Sequence, residues 1–144
     1  MISIRDIWLS MKAILRSARQ MVNAELAPLN LTGAEGDILF HLLDENEGLS
    51  QEELSERLDV GKAAVSRTVD SLVFKGYVAR ERRRDDARAY RVSVTEAAKC
   101  AREKIEYAYQ NIYEIVKCGI EETEFLRLTE LLNRVEANLK ESGA

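Results

Sequence analysis

The chain has 144 residues, 46% of them hydrophobic and 32% charged, with a formal charge of −4, one proline and two cysteines. That is one domain's worth of sequence, long enough to bury a real core, with the composition of a globular, helix-rich protein. Two cysteines are too few for a disulfide framework, no apolar run nears the roughly 20 residues of a membrane helix, and MISIRDIWLSMK carries charge too early for a signal peptide, so a cytoplasmic protein with no membrane partner is expected.

The first expected element is a helix over 4–26. Ile4, Ile7, Trp8, Met11, Leu15, Ala18, Val22 and Leu26 recur at three- and four-residue steps and make one apolar stripe. Pro28 stops it. A stripe this long on a terminal helix needs a cover, and a second copy of the chain is the simplest one. Thr32 and Glu35 have the spacing of a capping box, opening a helix to about Glu45 with Ile38, Leu39, Leu42 and Leu43 inward. His41, the lone histidine, reads as a packing residue.

Asn46-Glu47-Gly48 turns the chain into a second box, Ser50 with Glu53, which opens a short helix carrying Leu54 and Leu58. Asp59-Val60-Gly61 is the next turn, and Gly61 is expected to supply its backbone freedom. A helix then runs from about Lys62 to Lys75, with Gly76 as a left-handed stop. At 100° per residue Val65, Val69 and Leu72 face one way. Ala63, Arg67, Asp70 and Phe74 face the other, flanked by Ser66 and Ser71. Small and basic side chains on the early turns of an outward face suit a helix that enters the major groove of DNA.

Two alternating stretches follow, Tyr77 to Arg83 and Ala89 to Val94, separated by a loop too charged to pack in a core. Residues 60–94 hold nine basic and four acidic side chains, a net of +5 that leaves −9 for the rest of the chain. A basic unit on an acidic body localises attraction for phosphate.

Together these stretches resemble the winged-helix regulators of the multiple-antibiotic-resistance (MarR) family. The likeness rests on Leu31-Thr32, on L-S-Q-E-E-L at Leu49, and on V-x-R-x-V-D-x-L-x-x-K-G-Y-V-x-R from Val65 to Arg80. It continues through D-x-R-A at Asp86 to Ala89 and V-S-V-T at Val92 to Thr95. It implies a mainly α fold with a small β-wing, a winged helix-turn-helix over about 32–95 flanked by dimerisation helices at about 1–28 and 96–144, in a single domain. It further implies a homodimer on a pseudo-palindromic double-stranded DNA operator, more often a repressor than an activator. The DNA-contact set carried by the helix pattern and the resemblance is Ser50, Lys62, Ala63, Ser66, Arg67, Asp70, Arg82, Arg83, Arg84, Asp86 and Arg88. Arg88 would enter the minor groove and Asp86 would orient a basic neighbour. Ala63 and Ala64 stand where the family usually has Ser or Thr, which leaves fewer hydroxyls for the operator. Thr95-Glu96-Ala97-Ala98 stands in place of the usual T-E-K-G. Family members often release DNA on binding a small aromatic ligand, for which Trp8, Met11, Met21 and Tyr107 are candidate lining residues, although packing is the commoner role for each.

Thr95 is expected to cap a helix to about Lys117 with Ala101, Ile105, Ala108, Ile112, Ile115 and Val116 inward, ended by Gly119. A last helix over about 122–140 carries Phe125, Leu128, Leu131, Leu132, Val135 and Leu139. Cys100 and Cys118 lie about five helical turns apart, too far to bridge within one straight helix, and read as buried, inert thiols. The sequence has no P-loop, no dinucleotide fingerprint, no HExxH and no Cys/His cluster, so no enzyme, cofactor or metal is expected. Two other functions fit the same residues. One is a protein-interaction module using Phe74 and the wing; the other is an architectural protein that binds DNA without regard to sequence.

Overall fold

The computed structural model describes residues 1–82 and 90–143. They divide into two compact units, Met1–Ile112 and Tyr113–Ala144.

The first unit begins with α1, Ile4–Leu26, followed by a 3-10 turn at Ala27–Leu29 and by α2, Gly33–Leu42. A capping box that the sequence reading passed over starts α1: Ser3 Oγ accepts from the Asp6 amide, and the Asp6 carboxylate accepts from the Ser3 amide. α2 opens on the expected Thr32–Glu35 box but stops at Leu42, three residues short of the expected end. Gly36 marks where α1 and α2 touch. A Cβ there would collide with the Leu26 side chain, so only glycine allows the approach.

A two-residue strand, β1 at Leu49–Ser50, then leads into α3, Gln51–Leu58, and α4, Lys62–Lys75. Ser50 and Glu53 close the expected box over α3. The turn between α3 and α4 works differently from expectation. Gly61 sits at φ −60°, ordinary extended backbone, and the left-handed residue is Asp59 at φ +52°. Aspartate tolerates that region better than most residues. Gly76, at φ +84°, ends α4 as expected.

The wing is β2, Val78–Arg82, paired antiparallel with β3, Tyr90–Val94. β1 adds a third strand on the far side of β3, giving the order β1-β3-β2. Two residues carry no alternation, which is why pattern reading did not find β1. The closing loop at 83–89, with Arg83, Arg84, Asp86 and Arg88, lies outside the described residues.

One core gathers Leu26, Ile38, Leu39, Leu42, Leu54, Val65, Val69, Leu72, Val92 and Ile105, each 2% exposed or less. α5, Glu96–Lys117, adds Ala98, Ala101, Ala108, Tyr109 and Ile112. Its tail does not follow expectation: Ile115 and Val116 are exposed. The second unit consists of that tail and α6, Glu122–Gly143, in which no residue is buried.

Among the described residues the core holds one buried charge, Glu35, at 2% exposure. Its carboxylate accepts from the Thr32 amide at 2.8 Å, the Ser71 hydroxyl at 2.6 Å and the Lys75 ammonium at 2.8 Å. Burial alone raises the Glu35 pKa, but the Lys75 and Ser71 bonds and the Thr32 amide outweigh it and hold the carboxyl below its ordinary 4.5. The folded state therefore binds fewer protons at this site than the unfolded chain. The site's contribution is fully present above about pH 4.5 and is lost as pH falls through the lower folded value. Acid titration followed by circular dichroism should show wild type losing stability below about pH 4.5 more steeply than Glu35→Gln, which has no carboxyl to protonate there. Parallel acid profiles for the two proteins would contradict this.

Candidate nucleic-acid interface

α3 and α4 form a helix-turn-helix, and β2–β3 follows directly as a wing. The inner face of α4 is fixed by Val65, Val69 and Leu72, each 1% exposed or less. That burial leaves Lys62, Ala63, Arg67 and Asp70 on the exposed side, with Ser66 half-buried beside them. Phe74 continues the stripe at 92% exposure.

The cations divide into two groups that charge counting cannot separate. Arg67 has no ion pair or side-chain hydrogen bond among the described residues, and Lys62 has only a loose 3.6 Å pairing to exposed Glu52. Both can meet phosphates or base edges. Arg82 lies 5.3 Å above the Tyr90 ring and donates to its hydroxyl at 3.0 Å, which steadies it at the outer end of the wing. Arg80, Arg91 and Lys75 are committed internally. Arg80 pairs with Asp70 at 2.6 Å and donates to Gln51 Oε1 at 2.9 Å and the Ser66 carbonyl at 3.3 Å, joining β2 to both helices. Arg91 donates to the Gly48 carbonyl at 2.8 Å.

These contacts give two of the expected residues a second partner. Asp70 is the counterion of Arg80, and the Ser50 hydroxyl accepts the Glu53 amide at 3.0 Å as a helix cap. The sequence reading did not separate Arg80 from the free cations, since nothing in the alternation of a strand says what its outward side chains meet. The i, i+10 spacing of Asp70 and Arg80 across a glycine-stopped helix and the first strand was the available signal.

The expected effector residues are not brought together. Tyr107 borders a groove of about 500 Å³ with Glu25, Pro28, Leu29, Glu103, Lys104 and Ala108. Trp8 and Met11 sit earlier on α1 and do not line it, and Met21 packs against the core. Both cysteines are exposed in the single chain, contrary to the buried thiols expected. Among the described residues no group of three metal-binding side chains occurs, and no helix is long and apolar enough to cross a membrane.

Residues 29–89, which span the helix-turn-helix and the wing, match the model of the MarR family. That segment is similar to the MarR family. The chain has the winged-helix fold of MarR-type structures. Its structure is similar to the MarR transcriptional regulator from Methanosarcina mazei Go1, at 25% identity over 96% of this chain and 92% of that one, with a TM-score of 0.81. Two further solved structures share the fold. One is a MarR family regulator from Listeria monocytogenes complexed with a 26mer DNA, at 22% identity, covering 99% and 92% of the two chains, TM-score 0.85. The other is CouR from Rhodococcus jostii RHA1 bound to p-coumaroyl-CoA, at 20% identity, covering 90% and 91%, TM-score 0.81.

The two groups of cations separate on mutation. Arg80→Ala should cost about 1 kcal/mol of folding stability, because it removes three bonds and leaves Asp70 without its partner. Arg67→Ala should stay within about 0.5 kcal/mol, as exposed substitutions do. Urea unfolding of the two variants checks this, and equal losses would contradict the division.

Proposed function

We propose that this protein is a MarR-type regulator: a sequence-specific, cytoplasmic DNA-binding repressor acting as a homodimer, released by a small amphipathic effector. The observation that carries the reading is the outward face of α4, where Lys62, Ala63, Ser66 and Arg67 stand clear of the core while Arg82 extends the basic surface along the wing. Arginine can bond guanine in a paired fashion and serine can bond either base or phosphate. Arg83, Arg84, Asp86 and Arg88, outside the described residues, would complete the contact set, with Arg88 as the minor-groove contact that the resemblance implies.

Dimerisation is supported by apolar surface that has no cover within each unit. On α1, Ile4, Ile7, Trp8 and Leu15 are 46–71% exposed. On α6, Leu128, Leu131, Leu132, Val135 and Leu139 are 41–59% exposed. Monomers rarely leave two such stripes to water. Two copies would set their α4 helices in successive major grooves about one helical turn apart. The effector reading is supported by the groove beside Tyr107, whose lining is mainly apolar, with Glu25, Glu103 and Lys104 at hand. It is also supported by CouR, a structure of similar fold bound to p-coumaroyl-CoA. No residue in the helix-turn-helix or the groove suggests bond-making chemistry, so the protein is read as a regulator rather than an enzyme.

Fluorescence titration against a duplex from the protein's own promoter and against a scrambled duplex, across a salt series, tests the reading. Tight binding to the promoter duplex alone is expected, with affinity falling by about a thousandfold or more between 50 and 200 mM salt. Equal binding to both duplexes would favour an architectural role. The bare ring of Phe74 supports a second reading, a protein-docking surface, and weak binding with a flat salt dependence would favour it.

A further inference from the structure

The end of α4 is held from outside in a way that DNA contact does not require. The 3-10 turn and the left-handed Asn30, at φ +59°, leave two successive carbonyls, Leu29 and Asn30, to which no backbone amide among the described residues donates. Side chains from the α4 terminus take both. The Tyr77 hydroxyl donates to the Leu29 carbonyl at 2.7 Å, and the Lys75 ammonium donates to the Asn30 carbonyl at 2.8 Å. Between those two residues the backbone is gripped again, from the start of α5. The Thr95 hydroxyl donates to the Gly76 carbonyl at 2.6 Å, and the Thr95 amide donates to the Tyr77 carbonyl at 3.0 Å. Three residues thus fasten α4 to the α1–α2 connection and to α5 just before β2 begins.

We propose that Tyr77 is a positioning residue for DNA recognition, setting the angle at which α4 presents Lys62, Ser66 and Arg67. This rests on the DNA-binding reading above. A helix is a stiff lever. Arg67 stands eight residues, about 12 Å, from Lys75, so a tilt of about 5° pivoting there moves Arg67 by about 1 Å. Base-edge hydrogen bonds do not survive an error of that size, whereas attraction to phosphates, which tolerates looser geometry, does. The latch therefore governs discrimination between sequences more than attraction to DNA. It sits outside the contact surface, since the Tyr77 ring packs against the core.

The test is Tyr77→Phe, which deletes one oxygen and keeps the packing. Affinities for the promoter duplex and the scrambled duplex are measured across salt, alongside thermal unfolding. The specificity ratio should fall by roughly threefold to tenfold, the weight of one hydrogen bond, with scrambled-duplex affinity and salt slope unchanged. Thr95→Val, which frees the same segment from the other side, should move the ratio in the same direction. A lowered melting temperature with an unchanged ratio would show a purely structural bond and overturn the proposal, as would an equal loss on both duplexes. Wild-type protein that binds both duplexes alike would overturn the DNA-recognition reading itself, and the proposal with it.

Discussion

The bond between Lys75 and Glu35 is the contact on which the arrangement of the DNA-binding unit depends. It joins the last residue of α4 to the first turn of α2 at 2.8 Å, with the carboxylate almost out of water and the lysine part-buried. A carboxylate buried to that degree is unfavourable unless its lone pairs are filled. Here Thr32, Ser71 and Lys75 fill them, and the same ammonium reaches on to the Asn30 carbonyl. The capping box that starts α2 and the ion pair that places α4 therefore share one carboxylate. Local helix formation and tertiary placement are thereby coupled, and removing Lys75 would leave the Glu35 carboxylate stranded in the core.

That placement decides what the outer surface can do. With Val65, Val69 and Leu72 inward, Lys62 and Arg67 have nowhere to point but solvent. Arg80, by contrast, is spent on Asp70, Gln51 and Ser66, and Arg91 on Gly48. The +5 charge of residues 60–94 thus overstates the surface available to a phosphate backbone, because part of it holds the wing against the helices. Cations fixed by internal partners shape the unit, and cations without them attract the ligand.

Much of this was legible in the sequence because the signals were local. Capping boxes at Thr32 and Ser50, the glycine stop at Gly76 and the stripe Val65-Val69-Leu72 each act within a few residues, and each appears where the spacing put it. What escaped was of three kinds. The turn at Asp59 used an aspartate where glycine stood two residues away, because the left-handed position is set by where α3 runs out, not by which residue is most permissive. β1 has two residues and exists only because β3 is there to pair with it. Glu35 read as a helix cap and no more, since its partners Ser71 and Lys75 lie 36 and 40 residues away. Long-range partners are also why Ser50 and Asp70 carry structural bonds besides any contact with DNA. The apolar residues of α1 and α6 were visible as stripes; Ile4, Ile7, Trp8 and Leu15 of α1 and Leu128, Leu131, Leu132, Val135 and Leu139 of α6 stay exposed, whereas Val22 and Leu26 join the core.

The most direct test of this account is a double-mutant cycle on Glu35 and Lys75, reading both urea unfolding and affinity for the promoter duplex. Lys75→Met should cost about 3 kcal/mol, because it leaves the buried carboxylate unpaired, and Glu35→Gln less, because the part-buried ammonium keeps the Asn30 carbonyl; the double variant should cost clearly less than the sum. Promoter affinity should follow the same non-additive pattern. Additive losses, or singles that bind and fold like wild type, would mean that α4 is held by its apolar face alone and that the buried pair does not place it.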